Sequence, residues 1–203
     1  MTGIREFLPL DALGRRRLKV AFVGTHGVGK TTLCFDLASQ LKRLDLGVDI
    51  VKEVARRCPL PINEETTLDA QEWILHTQIA EEIAAQSQYE VVICDRSVID
   101  NYAYLVARVG RRPSLDALVA DWIGGYDALF KVPVTEAPSF DGKRAVSRAF
   151  QVEIDATLER LVEAFAVPVV RLDAADREGW IATVVTALHL PSKPPQVDLF
   201  NEA

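Results

Sequence analysis

Residues Gly24 to Thr32 read G-T-H-G-V-G-K-T-T, and no other stretch of the chain constrains its fold as tightly. Gly24, Gly29, Lys30 and Thr31 fill the fixed places of the pattern G-x-x-x-x-G-K-[ST]. With glycine at ~7% of average usage, chance would supply that pattern in roughly one chain in two hundred of this length. The flanks make chance rarer still. Leu18-Lys19-Val20-Ala21-Phe22-Val23 is an apolar run suited to a buried parallel strand. Leu33, Phe35, Leu37, Ala38, Leu41 and Leu44 follow at helical spacing. In a strand–loop–helix context, backbone N–H groups and the helix N-terminus together attract phosphate oxygens. Gly24, Thr25, His26, Gly27, Val28, Gly29, Lys30, Thr31 and Thr32 are therefore expected to cradle a nucleoside triphosphate, ATP being the expected cofactor. Lys30 would reach its β- and γ-phosphates, and Thr31 would offer its hydroxyl to Mg²⁺.

Around this motif the chain alternates strand and helix patterns. Val48 to Val54 alternates toward a second strand, and Arg56, Arg57, Pro59 and Pro61 mark a loop. Leu68 to Gln88 has helical periodicity, with Trp73, Ile74, Ile79, Ile83 and Ala84 as its apolar positions and Gln71 and Gln78 two turns apart on one side. Glu90 to Asp95 is a second strongly apolar strand; Ser97 can cap the helix that runs from there to about Val109. A helix from Ser114 to Ile123, a strand from Tyr126 to Val132, a helix from about Val146 to Phe165, a strand from Val167 to Leu172 and a helix from Ile181 to Leu188 complete the pattern. Pro168 suits an edge position or a strand beginning. The fold expected is α/β, a doubly wound five-stranded parallel sheet. Residues 1–190 are expected to form one domain, with 1–17 as an arm on the sheet edge whose Arg15, Arg16 and Arg17 are solvated. Residues 191–203 read as an extended or poorly ordered Pro-containing tail.

Composition narrows the partners. At 203 residues and a formal charge of −6, the chain has no broad basic surface for nucleic acid or anionic membrane. No segment approaches the ~18 apolar residues of a membrane span, and Met1 to Leu13 lacks a signal-peptide core. Cys34, Cys58 and Cys94 are odd in number and lack metal-ligand spacing, so inert thiols in a reducing cytoplasm are expected.

Phosphoryl transfer requires an acid near Mg²⁺, cations that follow the transferred charge, and a group that positions the nucleophile. In an α/β sheet these belong at the carboxyl ends of strands. Asp95 ends a buried run and is a candidate Mg²⁺ ligand, with Arg96 beside it to hold a phosphate. Glu53, near the end of the second strand, can accept a proton from a substrate hydroxyl, with Arg56 or Arg57 on the acceptor. Lys143, Arg144 and Arg148 would form a mobile basic lid, Arg144 and Arg148 sharing a helix face and supplying transition-state charge. Whether Glu53 or Asp95 is the base is left open by spacing alone.

The order G-T-H-G-V-G-K-T-T, K-E-V-A-R-R, a Gln-bearing helix, V-V-I-C-D-R-S, Y-D-A-L-F and D-G-K-R resembles P-loop nucleoside and nucleotide kinases. Within them it looks most like the AAA-domain group that includes the ribosylnicotinamide kinase module of bacterial NAD-metabolism proteins, over roughly residues 18–188. D-R-S is similar to the D/E-R-S or D-R-Y element of deoxynucleoside and thymidylate kinases. The resemblance implies a P-loop NTPase fold of the nucleotide-kinase type, Glu53 as catalytic base, and Asp95 and Arg96 at the metal and acceptor site. It also implies Gln71 and Gln78 as pocket residues, with Trp73 and Tyr102 as stacking partners for a ring; for Trp73, core packing is the better reading. Glu53-Val54-Ala55 replaces the E-P-V that often surrounds the base in deoxynucleoside kinases, which speaks against a deoxynucleoside acceptor.

The expected function is transfer of the ATP γ-phosphoryl group to a small nucleoside- or nucleotide-like acceptor; a homodimer is left open. The alternative is an ATPase that couples hydrolysis to a protein partner, although the chain is short for an AAA+ machine and has no L-S-G-G-Q. A GTPase switch would need an Asn-Lys-x-Asp run and a D-x-x-G after the third strand, and neither is present.

Overall fold

Five strands lie parallel in the order β2-β3-β1-β4-β5 in the computed structural model, which describes residues 4–10, 14–62, 65–135 and 148–191. They are β1 (Leu18–Val23), β2 (Val48–Val51), β3 (Val91–Asp95), β4 (Ala128–Lys131) and β5 (Val170–Arg171). The helices are α1 (Lys30–Arg43), α2 (Leu68–Gln88), α3 (Val98–Val109), α4 (Pro113–Ile123), α5 (Arg148–Ala164) and α6 (Trp180–Ala187). Every residue of β1 and β3 is buried, as a strand covered on both faces must be. Val20 and Phe22 pack with Leu37 and Leu41 of α1 and Val184 of α6. Their neighbours Ala21 and Val23 turn to the other face, with Leu75, Ile99, Val119 and Leu158 from α2 to α5. The sheet is doubly wound, as the alternation of elements predicts.

Pro168 precedes the short β5, which lies at the edge of the sheet. β2 is shorter than expected: it ends at Val51, and Val54–Arg57 closes into a 3-10 turn where a plain loop was expected. Glu53 caps the start of that turn. Phe35 is 52% exposed and Cys34 takes the inward position, because the buried stripe of α1 runs through Leu33, Leu37 and Leu41.

The buried face of α2 departs further from its apolar pattern. Ile83 is 54% exposed and Ala84 also faces solvent, while Gln71, Gln78 and Glu82 are buried. Glu82 can occupy the interior because its carboxylate is fully engaged. Lys19 Nζ donates to it at 3.2 Å, Gln78 Nε2 at 2.8 Å, Trp122 Nε1 at 2.8 Å and Tyr126 Oη at 2.6 Å. Lys19 Nζ also lies 4.3 Å from the centre of the Tyr126 ring.

Leu8 of the N-terminal arm packs into the core, and the arm's arginines are not simply solvated as expected. Arg16 Nη1 donates to the carbonyls of Glu6 at 2.6 Å and Leu8 at 2.9 Å, and Arg17 donates to the Tyr89 carbonyl. The arm's own carbonyls need donors, and the triplet supplies them. Cys34 and Cys94 are buried thiols, and burial pushes both well above the ordinary thiol range. Among the described residues no helix is long and apolar enough to cross a membrane.

Candidate functional site

Strand register does the first part of the positioning. Phe22 pairs with Asp95, and Val51 with Cys94, so the ends of β1, β3 and β2 are level. Gly24, Asp95 and Glu53 consequently emerge along one edge of the sheet. The loop from Gly24 then turns back to open α1. Gly24 has φ 147°, and a Cβ there would stand 2.9 Å from the Val132 carbonyl oxygen, so only glycine fits. Gly29 caps α1 in the left-handed conformation at φ 95°.

Lys30 follows it and is buried, its Nζ donating to the carbonyls of Gly24 at 2.8 Å and Thr25 at 2.6 Å. The ammonium is folded against its own loop. Burial, and next the nearby Arg96, lower the Lys30 pKa to about 8, against the upward pull of Asp100, Asp95 and Glu53. A triphosphate in the loop would add negative charge beside Nζ and raise that pKa again. ATP binding near pH 8 is therefore expected to take up a proton and near pH 6 to take up none, read by titration calorimetry in buffers of different ionisation enthalpy. The same number of protons taken up per nucleotide at both pH values would remove Lys30 from the phosphate site.

Thr31 Oγ1 donates to Asp95 Oδ2 at 2.5 Å. A hydroxyl and a carboxylate in contact at the mouth of a phosphate loop are hard oxygen donors of the kind Mg²⁺ takes. Among the described residues no group of three or more His, Cys, Asp and Glu side chains could hold a metal by itself. The donor set thus fits an ion that completes its shell with phosphate oxygens and water.

Arg96, next to Asp95, has φ 96°, an uncommon conformation for a side-chain-bearing residue. Two contacts hold it there. Gln78 Nε2 donates to the Arg96 carbonyl at 3.2 Å, linking that turn to the Glu82 network. Asp100, in the first turn of α3, accepts from Ser97 N at 2.9 Å and Ser97 Oγ at 2.8 Å, while its other oxygen accepts from Gly24 N at 2.7 Å. Asp100 therefore ties the phosphate loop to the Asp95-Arg96-Ser97 turn. Arg96 Nε reaches Glu53 Oε1 at 3.0 Å, Arg56 Nε reaches Glu53 Oε2 at 2.8 Å, and the Arg96 guanidinium lies 5.0 Å from the centre of the Tyr104 ring.

These groups border a narrow cleft with about 40 Å³ of free interior, whose walls include Glu53, Arg56, Gln71, Arg96, Asn101 and Tyr104. Two donors in its walls, Arg96 Nη1 and Asn101 Nδ2, are buried without a hydrogen-bond partner among the described residues. Buried donors left open in this way call for acceptor atoms, from a ligand or from water.

The sequence expectations divide accordingly. Glu53, Arg56, Gln71 and Arg96 meet in the cleft. Gln78 does not line it but lies beneath, fully buried, supporting Arg96. Tyr102 does not reach it: its ring is in the core and its hydroxyl donates to Asp116 at 2.5 Å, because Tyr104, two residues on, takes the opposite face of α3. Trp73 is half-buried outside the cleft, and Arg57 pairs with Glu81. His26 joins the cleft wall with its ring 5.8 Å from that of Phe150, and Val28 packs into the core. Thr25 is buried and bonded to His26, while Gly27 and Thr32 are exposed. Arg148 Nη1 donates to Gln151 Oε1 at 3.0 Å, and Gln151 Nε2 donates to the His26 carbonyl at 3.0 Å, so the start of α5 is tied to the loop. The expected lid residues Lys143 and Arg144 lie outside the described residues.

Asp100, Asn101, Tyr104 and Gln151 escaped the sequence reading. Ser97-x-x-Asp100 was legible as a capping box; the others carry no local signal.

Residues 19–179 match the model of a protein family described as AAA domain. No curated protein matches the chain. Among solved structures, deoxyadenosine kinase from M. mycoides with bound dATP has a TM-score of 0.62 at 16% identity, covering 85% of this chain and 100% of that one. Thymidylate kinase from Ehrlichia chaffeensis has a TM-score of 0.61 at 18% identity, covering 85% of this chain and 98% of its own. At such identities the likeness is one of fold.

Proposed function

This chain belongs to the AAA-domain family, and from that premise we propose that it is an ATP- and Mg²⁺-dependent phosphotransferase acting on a small nucleoside- or nucleotide-like acceptor. The observation that carries the reading is the junction of two half-sites. The phosphate loop with its Thr31–Asp95 contact is joined through Asp100 to a cleft holding Glu53, Arg96 and two open donors. The kinase fold of the structural neighbours supports it.

With a nucleotide bound, Lys30 would donate to its β- and γ-phosphates, and Thr31 and Asp95 are the residues that would hold Mg²⁺. Bound there, the ion neutralises charge on the phosphate oxygens and orients them. Glu53 sits where the acceptor hydroxyl would enter and takes its proton as the new O–P bond forms and the bond to the departing ADP breaks. Arg96 and Arg56 orient Glu53, and Arg96 also faces the charge that develops during transfer. Tyr104 and Gln71 hold the acceptor's ring or polar edge.

ATP consumption with and without a panel of nucleosides and nucleotides tests the reading. Acceptor-dependent turnover supports it; equal hydrolysis with no acceptor would make the protein an ATPase instead. Glu53→Asp retains the charge that neutralises buried Arg96 but shortens the reach. It should lower kcat by about 10²-fold or more with ATP affinity and melting temperature little changed. An unaltered kcat would move the base elsewhere.

A further inference from the structure

The turn between β5 and α6 brings an unassigned cation to the phosphate loop. Arg177 Nη2 lies 3.2 Å from where a Cβ on Gly29 would stand, at the N-terminus of α1. Neighbouring acids do not neutralise it. Asp173 Oδ1 accepts from Ala175 N at 2.9 Å, and Asp176 Oδ1 accepts from Gly179 N at 3.0 Å, so both carboxylates brace the turn. Among the described residues the Arg177 guanidinium makes no hydrogen bond or ion pair, and its ring contact is Trp180 at 5.7 Å. Trp180 is itself fixed, its Nε1 donating to the Asp173 carbonyl at 2.6 Å.

A cation beside a helix N-terminus sits at the positive end of the helix dipole, where cations are disfavoured. Lys30 adds a second positive charge in the same loop. Arg177 is exposed beside that positive end, and an anion bound at the loop would meet both charges. The side of approach is set by topology: β1 is flanked by β3, which carries Asp95, and on the other side by β4 and β5, which lead to Arg177.

We propose that Arg177 is a donor-site residue that binds non-bridging oxygens of the polyphosphate at the end remote from Asp95. This rests on the nucleotide reading of the loop and extends it. The phosphate chain then runs from Arg177 toward Asp95.

Calorimetry on the full chain with Mg-ATP and with Mg-tripolyphosphate, comparing wild type with Arg177→Ala and Arg177→Lys, tests the assignment. Arg177→Ala should weaken both ligands about tenfold, the low end for a charge-assisted hydrogen bond, and Arg177→Lys should recover part of the loss. The acceptor KM should stay unchanged. Undiminished binding of both ligands would overturn the proposal, and so would a loss confined to ATP, which would put Arg177 on the nucleoside. If the wild type bound neither ligand, the nucleotide reading itself would fall; wild-type binding with an indifferent variant sinks only the role of Arg177.

Discussion

Lys30→Met is expected to leave a folded protein whose turnover is lower by about 10³-fold, the scale seen when one preorganised charge donor is removed from a transition state. The fold should survive because the cation is a cost to it. The folded pKa of about 8 lies below the ordinary lysine value of 10.5, so the charged form is disfavoured by folding. That cost is fully present below pH 8 and is relieved as pH rises toward 10.5. Methionine fills the same buried space without charge but gives up the hydrogen bonds to the Gly24 and Thr25 carbonyls, so the two effects oppose and the melting temperature at pH 7 should change little. Its loss is the contact made when Nζ swings from the Gly24 and Thr25 carbonyls to phosphate. Circular dichroism melts and steady-state kinetics read the two halves of the expectation. Wild-type turnover in the variant would exclude the loop as the donor site.

Asp95→Asn should reduce kcat by about 10²- to 10³-fold and raise the Mg²⁺ concentration needed for half-maximal rate. Asparagine keeps the size of the side chain and can still accept from Thr31 through its amide oxygen, so the junction of β3 with α1 need not rearrange. It lacks the negative charge that attracts a divalent cation. A Mg²⁺ titration of the variant decides the matter: a normal metal response with a lowered rate would place the ion elsewhere and leave Asp95 as a structural acid.

The phosphate loop, its strand and its helix were legible in sequence because their chemistry is local. Gly24, Gly29, Lys30 and Thr31 act through backbone conformation and a helix start, both governed by neighbours in the chain. β1 and β3 were legible for a similar reason, since strands covered on both faces are apolar throughout. Glu53 and Asp95 could be placed because a parallel sheet directs its strand ends to one edge. α2 could be bounded but not oriented. Its periodicity gave apolar positions to Ile83 and Ala84, whereas the interior accepted Gln78 and Glu82, whose partners Lys19, Trp122 and Tyr126 come from distant segments. The choice between Tyr102 and Tyr104 was also beyond the pattern. Both lie on α3, and only the packing of α4 and α5 settles which faces the cleft.

By itself, then, the sequence determined the class of sheet, the nucleotide loop and the acids at its rim. Each follows from residue type and from separations along the chain of a few positions. Tertiary structure alone decided that Asp100 joins loop to turn, that Arg96 lies between Glu53 and Tyr104, and that Arg177, in the turn after β5, reaches Gly29. Those contacts link segments separated by many residues, and their geometry is fixed by register and packing, which no local pattern records.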